Sequence, residues 1–329
     1  MAQEKTSTPS TLWQEKIAPD EEARFAGYAA AFAAAQIGKS RKYGTGRALH
    51  RKQLAALRAR FDVLPDLPPH ASHGLFATAA SYPAWVRLSN GGADKLADAR
   101  PDIRGFSFKV FGPPGTAALG GTAATQDFLL INHSTFSFAT ADDFVQLALA
   151  AIAGPASLLR YFIRRYGVLG AFRQAAKLTA NVGKPFSGFA TEAFFSAAPL
   201  ACGQYAARVR LLPASTEKRP EARDNWAGDI YQRLADAPLQ FDFQLQFFVD
   251  EARTPIENPT VEWDERIAPY VTVGRLIIDP QQPDDSFAQE VELARFDIWG
   301  GLEAHRPLGE IMRARKAAYF ASQKGRGVA

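Results

Sequence analysis

Two arginines and a tyrosine near the C-terminus, Arg315, Tyr319 and Arg326, stand four and then seven residues apart. At about 100° per residue they fall within roughly 40° of one another around a helix axis, so a helix there carries all three on one face. A tyrosine with an arginine one turn before it is placed to work as a phenolate, because its reference pKa near 10 must be lowered by a fixed positive charge. Such a phenolate can ligate ferric haem iron. The plainer alternative is surface packing of an amphipathic helix. Arg47 and His50 form a second pair, at Arg-x-x-His spacing; read alone, His50 is an exposed histidine at the start of an amphipathic segment. His70 and His73 lie in a Pro/Ser loop, His133 follows a strand pattern and His305 precedes Arg306-Pro307. None has a partner at a metal-ligand spacing such as His-x-x-x-His, so all four read as structural.

The elements that must carry these groups form an α+β pattern. Residues 20–36 are Ala-rich with helical spacing, which predicts an N-terminal helix. His50–Phe61 stays open between helix and strand, since its tail Ala56-Leu57-Arg58-Ala59-Arg60-Phe61 alternates. Ala84–Ser89, Gly105–Phe111 and Asp127–Asn132 read as neighbouring antiparallel strands separated by Gly, Pro and Asp/Asn clusters. Residues 141–180 are helical by composition, with a break at Gly154-Pro155. Strands resume at Tyr205–Leu211, at Leu239–Phe247, which alternates over its whole length, and at Val271–Ile278. A final helix is predicted at about 307–324, with Pro at its start and Gly325 just past its end. Helix, strands, helices, strands and helix imply an antiparallel sheet or β-barrel with flanking helices. Pro213–Asn225, charged and rich in Pro, Glu and Arg, reads as a flexible insert.

Composition narrows the class. The 329 residues are 47% hydrophobic and 22% charged, enough apolar material for a large core and too little charge for a disordered chain. The net charge of +4 is scattered, which argues against a nucleic-acid binder. The single Cys202 excludes an internal disulfide and a Cys-cluster metal site, and points to the cytoplasm as compartment. The polar start MAQEKTSTPS lacks the apolar core of a secretory signal. Phe144–Leu159 is shorter than a spanning helix and interrupted by Gly154-Pro155. Arg160–Tyr166 mixes aromatics and arginines as an interfacial helix in contact with lipid does; the plainer reading is a helix packed on the core.

Arg47-x-x-His50, Val86-Arg87-Leu88-Ser89, Asp102–Lys109, Val273–Leu276, Phe287–Glu292 and Arg315-x-x-x-Tyr319 occur in the order and approximate spacing of the haem catalases. Over about residues 47–147 and 271–326 the chain resembles a catalase-related haem protein of the short branch that keeps the haem barrel. The resemblance implies a helical extension over 1–46. It also implies a haem-binding barrel of the catalase type over 47–329, with a helical insertion at about 141–180 and a C-terminal helix bearing the proximal tyrosine. The implied cofactor is haem b, with Tyr319 as axial ligand to the iron, Arg315 keeping it ionised, and Arg47, Arg87 and Arg326 pairing with the propionates. Three guanidiniums suit two carboxylates, since Arg is permanently charged and bidentate. By the same resemblance His50 is the distal base, which moves a proton from the inner to the outer peroxide oxygen, and Ser89 orients its ring. Phe136 or Phe138 is the aromatic that stacks on the haem, or either is plain core.

The chain departs from that pattern in two places. The asparagine that precedes the equivalent strand and helps hold peroxide is missing; the stretch reads Thr122-Ala123-Ala124-Thr125-Gln126. Gln126 or Thr125 is the expected substitute donor, with Asn132 too far along the strand. Leu49, just before His50, adds an apolar wall. The chain also lacks the threading arm and the domains that follow the tyrosine in full catalases, which implies a wider entrance and a homodimer or smaller assembly. The expected activity is a haem peroxidase that reduces organic hydroperoxides with a small-molecule electron donor and has weak catalase activity. A fatty-acid hydroperoxide dehydratase or isomerase of the allene-oxide-synthase type, and a non-catalytic haem-binding protein, are the alternatives.

Overall fold

The computed structural model describes residues 7–328; residues 1–6, where the expected N-terminal extension begins, lie outside the described residues. The chain runs through α1 (Glu21–Tyr43), β1 (Gln53–Val63), β2 (Ser81–Asn90), β3 (Arg104–Phe111), β4 (Thr125–Ile131), α2 (Ala141–Ala153) and α3 (Pro155–Val182). It continues through β5 (Phe194–Phe195), β6 (Leu200–Cys202), β7 (Tyr205–Pro213), α4 (Trp226–Asp236), β8 (Leu239–Phe247), β9 (Tyr270–Ile278), α5 (Asp285–Leu293) and α6 (Glu310–Arg326). All pairings among the described strands are antiparallel, in the order β5-β4-β3-β2-β1-β9-β8-β7-β6. The short β5 also pairs with β7. It thereby closes an eight-stranded antiparallel barrel, on which β6 sits as an appendage to β7.

Alternation along each strand sorts the side chains. Phe106, Phe108 and Val110 of β3 face inward with their β4 partners Leu130, Phe128 and Gln126. Phe61, Phe108, Phe128 and Phe243 interlock there, with Phe128 and Phe243 4.7 Å apart and edge-on. Each fully buried aromatic of this kind contributes about 2–3 kcal/mol through removal from water. The odd-numbered residues Gly105, Ser107 and Lys109, with Ile131, Leu129 and Asp127 opposite, face outward. Of these, Leu129, Lys109 and Asp127 are covered by residues of α5, α6 and the chain that links them. The segment left open at 50–61 is therefore strand over Gln53–Val63, a central barrel strand, because its alternation matches the apolar interior.

Boundaries shift where glycine geometry requires. The last helix starts at Glu310 rather than Pro307, since Gly309 at φ +90° cannot be helical. It runs through Gly325 and ends at Gly327, whose left-handed backbone donates to Gln323 and Lys324 carbonyls. The Pro213–Asn225 insert is tied in. It contains a short 3-10 turn, Pro220–Asp224. Asn225 caps α4 by accepting from the Gly228 N–H at 2.9 Å, and Arg233 donates to the Glu217 carbonyl at 2.7 Å. Sequence patterning missed α4 and α5, which are short and carry mixed polarity.

Candidate active site

His50 sits just before β1 in left-handed backbone geometry, φ +50°, which a non-glycine residue adopts only when its surroundings impose it. Three contacts do so. Its N–H donates to the Gly91 carbonyl at 2.9 Å, its own carbonyl accepts from Arg87 at 2.9 Å, and its Nδ1 is 3.1 Å from the Ser89 hydroxyl. Ser89 is fully buried on β2. Opposite it in register on β3 is Gly105, where a Cβ would lie 2.5 Å from the His50 Nδ1; only glycine leaves room for the ring. The other ring nitrogen, Nε2, has no hydrogen-bond partner among the described residues. Burial, reinforced by Arg87, Arg315 and Arg47, lowers the His50 pKa to about 3. The imidazole is therefore neutral across the physiological range.

Beside it three guanidiniums converge. Arg87 of β2 binds one carboxylate oxygen of Glu292 at 2.8 Å, and Arg47 binds the other at 2.9 Å. Arg47 also donates to the carbonyls of Glu292 and Ala294, and Arg326, at the end of α6, donates to the same two carbonyls. Glu292, at the C-terminal end of α5, is the carboxylate that Arg47 and Arg87 share. Burial and the neighbouring Arg87 push the Arg47 guanidinium well down, and burial lowers Arg326 too. The Arg326 Nε is buried without a hydrogen-bond partner. Three positive charges against one negative leave an excess of two, which a group carrying two carboxylates would match.

Helix α6 brings Arg315 and Tyr319 to this pocket. The Arg315 Nε donates to the Tyr319 oxygen at 3.0 Å, and a second guanidinium nitrogen donates to the same oxygen. Arg315 is close enough to the His50 ring to oppose its protonation, so β1, β2 and α6 face one space. The helix is fixed on both sides of Tyr319. Arg313 binds Glu15, Glu21 and Glu257 at 2.7–3.0 Å, which ties the helix to the N-terminal segment and to the loop before β9. Gln323 donates to Asp297 at 2.8 Å, the Asp297 N–H donates to Asp127 at 2.7 Å, and Asp127 pairs with Lys109 at 2.6 Å in the barrel wall. Leu129, Phe136 and Tyr319 all pack on the cluster of Ala198, Ile298, Trp299 and Met312. Leu49 packs with Ala318 around Ala48, and Ile131 faces outward opposite Gly105. Apolar side chains thus pack next to Tyr319, through Leu129 and Phe136 on its cluster, and next to His50, through its neighbour Leu49.

The structure brings together Arg47, His50, Arg87, Ser89, Arg315, Tyr319 and Arg326, with Phe136 and Tyr319 packed on one apolar cluster. It does not bring Thr125 or Gln126 to His50. Gly105, next to the imidazole, pairs with Ile131, whereas Gln126 pairs with Val110 and Thr125 with Phe111. That is five and six residues away, or about 16–20 Å along the strand. Gln126 moreover points inward, and its Oε1 accepts from the Leu302 N–H at 2.8 Å. The proposed replacement donors are therefore corrected, because strand register sets them at the far end of β4. The outward residues of β4 nearest His50 are Leu129 and Ile131, and the side chain of Asn132 is engaged in accepting from the Arg104 N–H. Glu292 was missed as a site residue although it ends the Phe287–Glu292 motif; the excess of arginines was the signal. Gly105 was equally visible in its motif. Away from this site, His305 is buried, with one ring nitrogen accepting from the Leu75 N–H and the other 3.2 Å from the Ala201 carbonyl.

No protein-family model matches the chain. It is 26% identical over 258 residues, 74% of the chain and 78% of the relative, to a protein described as a catalase-related peroxidase from Mycolicibacterium paratuberculosis (strain ATCC BAA-968 / K-10). Its fold is that of solved catalases. A fungal catalase superposes with a TM-score of 0.69 at 16% identity, covering 100% of this chain and 66% of that one. Catalase A from Saccharomyces cerevisiae superposes at 0.68 and 15% identity, covering 98% and 68%. A bacterial catalase gives 0.64 and 16%, covering 99% and 64%. The chain thus spans about two thirds of the length of these catalases.

Proposed function

We propose that this catalase-related chain is a haem b-dependent peroxidase that reduces organic hydroperoxides to alcohols and water with two electrons from a small-molecule donor. The observation that carries the reading is an imidazole, His50, oriented by Ser89 and close enough to Arg315 to feel its charge, while Arg315 itself donates to the Tyr319 oxygen. The residues fit a haem: the charge excess of Arg47, Arg87 and Arg326 over Glu292 and the partnerless Arg326 Nε suit two propionates. Tyr319, its oxygen held by Arg315, would hold the iron. Haem bound there supplies an iron centre that accepts two oxidising equivalents from a peroxide.

The chain's own residues then supply the proton chemistry. Ser89 holds the Nδ1 side of the His50 ring and leaves Nε2 to face the peroxide. With haem in place, Nε2 would take the proton from the hydroperoxide O–H and return it to the alkoxy oxygen, which would leave as the alcohol. Arg315, by donating two hydrogen bonds to the Tyr319 oxygen, fixes the direction in which that oxygen points. Preference for organic hydroperoxides rests on the outward side chains nearest His50. Leu129 and Ile131 solvate an alkyl group and offer no amide to hold a second hydrogen peroxide as reductant, which accounts for weak dismutation.

The test is haem titration followed by stopped-flow mixing with cumene hydroperoxide and, separately, hydrogen peroxide. The wild-type chain shows a Soret band and cleaves the organic peroxide faster, with turnover dependent on added donor. Tyr319→Phe loses most haem affinity, whereas His50→Ala keeps the haem and loses about 10²–10⁴-fold in cleavage. Full cleavage by the His50 variant refutes the base assignment. Consumption of a fatty-acid hydroperoxide without donor refutes the peroxidase in favour of an isomerase.

A further inference from the structure

Helix α3 is bent at Gly167, whose backbone is non-helical at φ +69° and ψ 174°, so that Pro155–Val182 forms two helical limbs. The limbs meet through Phe162 and Ala171, which pack with Leu147 of α2. The bend carries a run of apolar side chains that the fold leaves outside. Leu169 is 88% exposed, Phe172 69%, Val168 60% and Leu159 51%, and Ile163 and Tyr166 are exposed as well. Exposed large apolar groups are ordinary when scattered; six within fourteen consecutive residues form a patch that marks an interaction surface.

The charges around the patch say which surface. Arg160, Arg164, Arg165 and Arg173 are exposed among these residues. Of the four, Arg165 is bridged to Asp143 of α2 at 3.2 Å. From Phe144 to Thr191 the sequence contains no Asp or Glu. A second copy of the chain seated symmetrically on this patch would set arginines against arginines with no carboxylate from the segment to offset them, which disfavours self-association. An anionic bilayer satisfies both features at once: Leu169, Phe172 and Val168 enter the acyl boundary while the arginines meet lipid phosphates. Among the described residues no helix is long and apolar enough to cross a membrane, so the contact is interfacial. We infer that the bend of α3 docks this protein on the surface of anionic lipid membranes. The inference is independent of the peroxidase reading, since no part of it uses the pocket between His50 and Tyr319.

The experiment is co-sedimentation of the full chain, purified with haem supplied, with vesicles of phosphatidylcholine alone and of phosphatidylcholine mixed with phosphatidylglycerol. The expected result is binding to the mixed vesicles that weakens at high salt, and little binding to phosphatidylcholine alone. The triple variant Arg160→Gln, Arg164→Gln, Arg173→Gln lowers the partition coefficient about a hundredfold, at about fivefold per arginine. Leu169→Asp with Phe172→Asp abolishes binding; both side chains are exposed, so the fold tolerates the change. Because Cys202 is fully buried, Leu169→Cys provides the accessible thiol for an environment-sensitive fluorophore, whose emission shifts to the blue on mixed vesicles. Absence of binding to mixed vesicles overturns the inference. So does binding without a fluorophore shift, or a dimer that Leu169→Asp converts to monomer without any vesicle binding.

Discussion

Gly105 faces the imidazole of His50 across the top of β3, and the smallest substitution there tests whether the ring's position matters. In Gly105→Ala the new Cβ would stand 2.5 Å from the His50 Nδ1, 2.8 Å from its Cε1 and 2.7 Å from the Ser89 Oγ. Ordinary van der Waals contact begins near 3.4 Å, so something must retreat by about 1 Å. Ser89 is fully buried on β2, and the His50 backbone is pinned by Gly91 and Arg87. The imidazole is the group that moves. Overpacking of this kind costs about 1–3 kcal/mol of stability, and a 1 Å displacement of a catalytic group costs roughly 10²-fold in rate. The variant should bind haem with an unchanged Soret band and cleave cumene hydroperoxide about a hundredfold more slowly in stopped flow. In a His50→Ala background there is no ring to displace, so Gly105→Ala should add less than about twofold. A wild-type rate in the single variant, or an equal loss in both backgrounds, refutes the claim that Gly105 acts through His50.

Two further predictions follow from the charges around the pocket. Glu292→Gln removes the carboxylate that Arg47 and Arg87 share; since Glu292 is partly exposed, the cost in the haem-free protein is about 2 kcal/mol rather than the 3–5 of a fully buried pair. That lowers the melting temperature by about 3 °C for a chain of this length. On the proposed function the haem propionates take over from Glu292, so calorimetry should show a smaller shift with haem added, and equal shifts with and without haem would contradict the propionate assignment. The second concerns pH. His50, with its pKa lowered to about 3, stays neutral throughout the working range. Hydroperoxide cleavage should therefore be flat from about pH 5 to 8, and an inflection near the ordinary histidine value of 6.5 would show that the base is not held as described. The unfolded chain takes up a proton at His50 as pH falls through 6.5 while the folded chain does not. Stability is accordingly full above that value and declines from there towards pH 3.

Much of this was legible in the sequence, for reasons that differ by residue. The one-sided placement of Arg315, Tyr319 and Arg326 follows from helical periodicity alone, and the period-two strands Ala84–Ser89, Gly105–Phe111 and Leu239–Phe247 follow from an apolar barrel interior that every strand must face. These are local regularities, fixed by bond geometry within a few residues. What sequence reasoning misplaced depends on register. Thr125 and Gln126 were expected at His50 because they occupy the stretch where the resemblance implies a peroxide-binding asparagine, but β3 and β4 run antiparallel, so the residue beside Gly105 is Ile131 and the start of β4 is carried to the barrel's far end. Glu292 and Gly105 lay inside recognised motifs, yet their roles exist only where α5, β2 and β3 meet, through one shared carboxylate and one missing Cβ. The exposed arginines and apolar groups of α3 were read either as an interfacial or as a core-packed helix. Only the bend at Gly167 and the burial of Phe162 and Ala171 decided which faces were left outside. Sequence determined the types and local faces of the chemical groups; tertiary structure decided which faces meet, because strand register, helix docking and burial are sums over contacts between residues far apart in the chain.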